Sequence, residues 1–337
     1  MQEKVIFIGT DLHGKPSELA SKIVNSLREI SSAKVISIEN RKERKFGTNE
    51  SVVPKFFNND ALRKVLQAIL LPFYLIFSRA YSSRLFSFWI ADKTYHLWLF
   101  RLAKLLRYRL VFTIISGLDK NYSNLKIADV IVCQSNKMYS KIRAIFPNKR
   151  VELIYPWTDL EIFTPAKKSV DIFIPSIPYK IKDFDERGIN NIIKVLQTKK
   201  FSSKIVFRSQ ESYDYFSNLK LGDTKLINKI LEDYELAKEM ANSKVMPLLY
   251  KENVPDMPLS AVEGLACGCA LICSSEMGIS EIVKKEGCGF LAGKDLVRDI
   301  SRACLNSQMR KKSRKVAEKL FDKKRQTAKY LKLFKEV

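Results

Sequence analysis

The chain of 337 residues suits two domains rather than one, and 46% hydrophobic residues are enough to build a packed core in each. Six cysteines in a chain of this length exclude a secreted disulfide framework, and the grouping of Cys267, Cys269 and Cys273 fits no common zinc spacing, so buried reduced thiols are expected. The formal net charge of +23 implies polyanionic surroundings: nucleic acid, anionic lipid or phosphorylated substrates.

In chain order, Val5-Ile6-Phe7-Ile8-Gly9 after Lys4 reads as a short buried strand rather than a targeting segment. A loop carrying His13, Gly14 and Lys15 follows. A helix is predicted from Pro16, with Leu19, Ile23, Leu27 and Ile30 as its apolar stripe. Residues 33–38 are the next strand, and the polar stretch 40–60 reads as a long loop. Residues 65–78 (VLQAILLPFYLIFS) carry no charge. This run is shorter than the roughly 20 residues that span a bilayer, and Pro72 is expected to interrupt it. Across 61–118 nine Lys and Arg stand against Asp92 alone, among them Arg101, Lys104, Arg107 and Arg109 beside Trp98, Leu99 and Phe100. Basic groups next to large apolar ones suit an interfacial membrane surface; a core helix with a solvated basic flank has the same pattern.

Strands are expected at 109–115 and 127–135, then a helix from about Asn136. The second half opens with a strand at 170–175, a loop over 177–188 and a helix from Ile189 striped by Ile192, Ile193 and Leu196. Further strands fall at 204–208 and 245–248, with a short helix at 235–242 between them. Residues 258–267 form a helix of small residues stopped by Gly268, and Ala270-Leu271-Ile272-Cys273 is a buried strand. A loop carries Gly278, and Ile279-Ser280-Glu281-Ile282-Val283 opens another helix, whose first N–H groups can receive phosphate. From Leu296 the chain reads as helical and basic. Glu263 lies among Leu259, Ala261, Val262, Leu265 and Ala266, where a carboxylate is costly to bury without a partner. A hydroxylated ligand could be that partner. The alternation of strands and helices argues for parallel sheets covered on both faces.

Residues 255–293 resemble the donor site of the glycosyltransferase group 1 family, which has the GT-B fold. Glu263, Gly264, Ala266, Gly268, Gly278, Glu281, Ile282 and Val283 fall on its E-x7-E, A-x-A-x-G, Gly-loop and E-I-V pattern. A second stretch also resembles it: Ala128, Asp129, Val130, Ile131 and Ser135, then Asp159, Phe163 and Pro165. Departures are plain. Pro255 stands where the first Glu belongs, with Asp256 and Glu252 nearby. Ala270 replaces the usual Pro, Ser176-Ile177 the first basic group, and Ile115-Ser116 the usual His.

The resemblance implies an α/β protein of GT-B fold, with two Rossmann-like doubly wound parallel-sheet domains facing across a cleft. Residues 1–167 would be the acceptor-side domain and 168–320 the nucleotide-sugar domain, with 321–337 a helix crossing back to the first. It implies a retaining, metal-independent hexosyltransferase with no cofactor, using a UDP- or GDP-sugar as donor. The partners are that donor, a lipid-linked or glycan acceptor and an anionic membrane surface, but not nucleic acid. The location is cytoplasmic, peripheral on the inner membrane face.

Glu263, Asp256 and His13 are the candidate catalytic residues, although a lone loop histidine is commonly just solvated. Donor binding falls to Arg187, Lys180, Glu252, Met257, Pro258, Leu259, Gly278, Ile279 and Glu281. Acceptor or membrane contact falls to Gly14, Arg101, Lys104, Arg107 and Arg109. The missing first Glu, first Arg and His keep open a catalytically weakened GT-B-like binding protein. A nucleic-acid binder is disfavoured, because the basic residues spread over both halves without recognisable stacking motifs.

Overall fold

A computed structural model describes residues 4–10, 19–39, 50–54, 60–89, 97–115, 122–251 and 256–337. The chain divides into two compact units. One holds Met1–Gln134, Met138–Ile154 and Gln326–Val337; the other holds Ser135–Lys137 and Tyr155–Arg325.

The first unit is a seven-stranded parallel sheet. Its strands are β1 (Lys4–Thr10), β2 (Ser32–Glu39), β3 (Glu50–Pro54), β4 (Arg84–Trp89), β5 (Arg109–Ile114), β6 (Val130–Cys133) and β7 (Arg150–Leu153). The order is β3-β2-β1-β4-β5-β6-β7. Apolar runs without alternation, as in Val5-Ile6-Phe7-Ile8, form strands covered on both faces. Helices α1 (Leu19–Arg28), α2 (Asp60–Arg79), α3 (Leu97–Leu105) and α4 (Asn136–Ile145) connect them. Ile6, Ile8 and Phe112 share one core with Leu71 and Leu75 of α2, Leu99, Phe100 and Ala103 of α3, and Ile142 of α4. Phe7 points the other way and packs with Phe86 and with Phe334 near the chain's end.

Two expectations are corrected here. The stretch 40–60 is not all loop, because Glu50–Pro54 adds edge strand β3 beside β2. A five-residue edge strand needs only one partner, and its sequence carries little apolar signal. Pro72 also does not interrupt its helix, which runs through it from Asp60 to Arg79. Proline removes one backbone bond, while the buried Leu71 and Leu75 on either side keep the helix seated on the sheet. Among the described residues no helix is long and apolar enough to cross a membrane.

The second unit has six parallel strands: β8 (Val170–Ile174), β9 (Ser203–Val206), β10 (Thr224–Ile227), β11 (Ser243–Leu248), β12 (Ala270–Cys273) and β13 (Gly289–Leu291). Their order is β10-β9-β8-β11-β12-β13. Helices α5 (Ile189–Gln197), α6 (Gln210–Ser217), α7 (Asp233–Ala241), α8 (Leu259–Ala266), α9 (Ile279–Glu286), α10 (Leu296–Leu305) and α11 (Ser307–Leu320) cover it, and α12 (Lys323–Glu336) follows. The helices expected at 189, 235–242, 258–267 and 279 are α5, α7, α8 and α9. The sequence reading gave no separate place to α6, β10 and β13. All six cysteines are free thiols, five of them buried. Cys269 donates to the Met240 and Ser243 carbonyls at 3.1 and 3.3 Å, a structural use of the thiol.

In both sheets the chain starts in the middle, winds outward, then returns to extend the other side. The direction reverses between β1 and β4 in the first unit and between β8 and β11 in the second. Ligands of open α/β sheets bind beyond the carboxyl ends of the strands at such a reversal.

Candidate donor-binding site

Beyond the carboxyl ends of β8 and β11 lie the segments 175–188 and 249–251. They meet tightly at Gly188, which caps α5 in the left-handed region at φ 63°. A Cβ there would stand 2.5 Å from both the Cβ and the carbonyl oxygen of Leu249, so only glycine permits this approach. The Lys251 N–H donates to the Glu186 carbonyl at 2.8 Å, fixing the two segments side by side. As a result the Arg187 guanidinium lies over the Tyr250 ring, 5.0 Å from its centroid. It also donates to the Tyr250 hydroxyl at 3.4 Å, a long contact. The ring holds a cation at the sheet edge, a contact of modest energy. Ser274, just past β12, donates its hydroxyl to the Tyr250 carbonyl and braces the same residue from the next strand.

Between these segments, α5 and the loops after β12 and β13 opens a cavity of about 830 Å³. Gly188, Lys194, Tyr250 and Lys251 form one wall, Ser274 and Glu276 another, and Gly293 with Asp295 a third. That volume lies within the range of small-molecule and cofactor sites. The wall offers Lys194, Lys251 and Lys294 as cations and Asp185, Glu276 and Asp295 as acceptors. Lys251 pairs with exposed Asp185, a contact that orients more than it stabilises.

A second cluster surrounds Gly278. Its φ of −65° is ordinary, so the need for glycine there is one of space. A Cβ would stand 2.4 Å from an Asp256 carboxylate oxygen and 2.4 Å from the Cβ of Ser135. The Ser135 hydroxyl donates to Asp256, and the Gly278 N–H donates to the Asp256 carbonyl at 2.9 Å. Burial holds the Asp256 carboxyl above its ordinary range, against the Ser135 and Gly278 hydrogen bonds and the nearby Lys137 charge. Lys137 donates to the Glu276 carbonyl at 2.6 Å, and Ser135 reaches Gly278 through Asp256, so the segment Ser135–Lys137 holds the middle and the far end of the 274–278 loop. Asp256 is thus engaged in placing Gly278 and the start of α9.

Glu263 is only 3% exposed, in the middle of α8. It does not line the cavity; nor do Asp256, Lys180, Arg187, Met257, Pro258, Leu259, Gly278, Ile279 or Glu281. Arg187 borders it through Tyr250. Pro258 caps α8, and Met257, Leu259 and Ile279 are buried packing residues. Glu281 is exposed in the first turn of α9, where its charge adds to burial in raising the Tyr155 hydroxyl pKa. Lys180 is exposed on a loop held to α6, where the Ser209 and Ser212 hydroxyls donate to the Tyr179 and Pro178 carbonyls at 2.7 and 2.6 Å.

In the first unit, Lys104 is spent on Asp129, reaching both carboxylate oxygens at 2.8 Å. Arg101, Arg107 and Arg109 are exposed. His13, Gly14 and Glu252 lie outside the described residues, as does Pro255. Sequence reasoning missed Tyr250 and Lys194, and placed Ser274 and Glu276 only in a loop at the carboxyl end of a strand. Position after an apolar strand does not say which loop residues face inward, and Lys194 lies on the polar side of helix α5.

By sequence, no described protein family and no curated protein matches this chain. By structure it is similar to sucrose-phosphate synthase from Thermosynechococcus elongatus, with a TM-score of 0.76, 13% identity and 99% of each chain covered. It is also similar to an E. coli trehalose-6-phosphate protein bound with UDP-2-fluoro glucose, with a TM-score of 0.69, 9% identity and 99% of each chain covered. The lipopolysaccharide outer core galactosyltransferase WaaB superimposes with a TM-score of 0.66 at 13% identity, over 99% of this chain and all of that one (100%). MurG from Acinetobacter baumannii does so at 0.61 and 11% identity, over 99% and 100% of the two chains. The fold of this chain is therefore GT-B, with two Rossmann-like parallel sheets.

Proposed function

We propose that this chain is a glycosyltransferase that moves a sugar from a UDP- or GDP-sugar to a lipid-linked or glycan acceptor at the inner membrane face. The observation that carries the reading is the cavity at the β8/β11 reversal, walled by Gly188 and Tyr250 and bordered by Arg187. Nucleotide-sugar transfer needs the leaving diphosphate stabilised and the sugar held. Arg187 is an oriented cation for the diphosphate, with the start of α9 behind Gly278 as a second anion-stabilising group. Glu263 does not line this cavity, and its role of accepting from the nucleotide ribose is what the resemblance implies; Asp256 holds the Gly278 loop in place. The resemblance implies retention of anomeric configuration, no metal and a hexose donor. His13 and Gly14 enter on the acceptor side, and Glu252 beside the sugar, from the sequence alone. The solved relatives favour this reading: one is named a galactosyltransferase and another holds UDP-2-fluoro glucose.

Pro255 in the place of the family's first Glu favours a second reading, a GT-B-like nucleotide-sugar binder without turnover. A thermal-shift screen with UDP, GDP, ADP and CMP tests both readings together. Ligand at a hundredfold excess over Kd stabilises the folded state by about 2.7 kcal/mol, an upward shift of several degrees. A shift with UDP or GDP is expected. No shift with any nucleotide removes both readings. Release of nucleotide from the sugar donor then separates enzyme from binder. Arg187→Ala is expected to weaken UDP or GDP far more than the bare nucleoside; equal losses assign Arg187 to folding.

A further inference from the structure

The first unit exposes an apolar surface that the donor site does not use. On α2, Leu71, Leu75 and Ser78 are buried against the sheet. The opposite side shows Ile69, Phe73, Ile76 and Phe77, at 53%, 54%, 49% and 73% exposure. Their spacing of four, seven and eight residues from Ile69 places them on one face. On α3, Leu99, Phe100 and Ala103 are buried, while Trp98 and Leu105 stand 39% and 80% exposed with Arg101 between them. Both helices pack into one core on the same side of the sheet. They are tied by Arg79, which donates to the Leu106 carbonyl at 2.9 Å, and by Tyr108, which donates to the Leu75 carbonyl at 2.6 Å. Their outward sides are therefore neighbouring parts of one surface.

Apart from Asp60 at the first position of α2, and Lys104, which pairs with Asp129, the charge along these segments is positive: Arg79, Arg84, Arg101, Arg107 and Arg109 lie along residues 61–89 and 97–115, which contain no carboxylate. A two-fold contact between copies sets the same patch against itself and would face arginine with arginine. An anionic bilayer offers the opposite charge together with an apolar layer beneath it. Exposed Trp and Phe beside Arg are the side chains that enter that boundary.

We infer that the outward faces of α2 and α3 form the surface by which this chain rests on an anionic lipid bilayer, with Ile69, Phe73, Ile76, Phe77, Trp98 and Leu105 entering the headgroup boundary. The inference deepens the reading above, on which its consequence of a lipid-linked acceptor rests.

The full chain is sedimented with phosphatidylcholine vesicles, with and without phosphatidylglycerol, at low and high salt. Wild type is expected to pellet with the phosphatidylglycerol vesicles, less but still measurably at high salt, because salt screens charge and not apolar insertion. Phe73→Ser/Phe77→Ser and Arg101→Gln/Arg109→Gln change exposed side chains only, so both variants keep the wild-type melting temperature. Each is expected to bind about tenfold less or weaker still. Wild-type binding by both variants, or no pelleting of wild type at low salt, overturns the inference. So does a wild-type dimer in sedimentation velocity that the Phe double variant abolishes, which assigns the face to a second copy. UDP and GDP stabilisation, measured on the same samples, is expected to be equal in all three proteins. Its absence from wild type removes the donor reading and leaves the vesicle result to stand or fall by itself.

Discussion

Helices α8 and α2 are both rich in apolar residues, and the fold uses them in opposite ways. Seven of the eight residues of α8 are buried. In α2 the side against the sheet is buried, while Ile69, Phe73, Ile76 and Phe77 remain in solvent. The difference lies in side-chain size. Small residues such as Ala261, Gly264 and Ala266 let α8 approach closely, so it can be covered on all sides. Gly264 faces the Met246 sulfur, and a Cβ at 264 would stand 2.4 Å from it. Leu, Ile and Phe make α2 thick, and one sheet face covers only part of its circumference. Apolar content by itself does not tell a core helix from a docking helix; residue size and what surrounds the helix do.

The comparison can be broken from either side. The largest effect is expected on the inner face of α2: Leu71→Ala should cost about 2–5 kcal/mol, because it leaves a cavity under the helix. Urea denaturation measures it, and a cost near zero would mean that α2 is not seated on the sheet. Next comes the carboxylate inside α8. Glu263→Gln should weaken UDP or GDP by about 1.5–3 kcal/mol through lost charged hydrogen bonds. Equal affinities in calorimetry would confine Glu263 to the fold. Gly264→Val tests the close packing of α8 and should cost about 1–3 kcal/mol, since the fully buried Met246 side chain must shift to make room. A neutral result would show α8 to be loosely packed. The smallest effect belongs to the outer face of α2: Phe73→Ser should move stability by no more than about 0.5 kcal/mol in the same urea experiment. A large loss there would show that Phe73 is covered in solution and would end the distinction between the two helices.

The second unit was the more legible of the two. Its strands β8, β11 and β12 carry short apolar runs (residues 172–174, 245–248 and 270–273), and helix α5 carries a clear stripe, so local pattern and final structure agree. Strand β3 was not legible, because its short apolar pair Val52-Val53 lies in a largely polar stretch with no flanking pattern. Pro72 misled, because its local cost is offset by burial that only the sheet supplies. In the site, Gly278 could be named from the sequence, but not for the reason the fold gives it. Tyr250 had no signal of its own; it matters because Arg187 is brought back over its ring.

The sequence by itself determined the alternation of strands and helices, the crowded small-residue unit around Glu263 and the one-signed charge of residues 61–118 outside Asp92. These are local properties, set by neighbours a few positions apart. Only the tertiary structure decided that Asp256 is engaged by Ser135 from 121 residues away, that Gly188 must be glycine because Leu249 lies against it, and that the apolar excess of α2 faces outward. Each depends on which segments the sheet order brings together. Sheet order is fixed by long-range packing, which no local window contains.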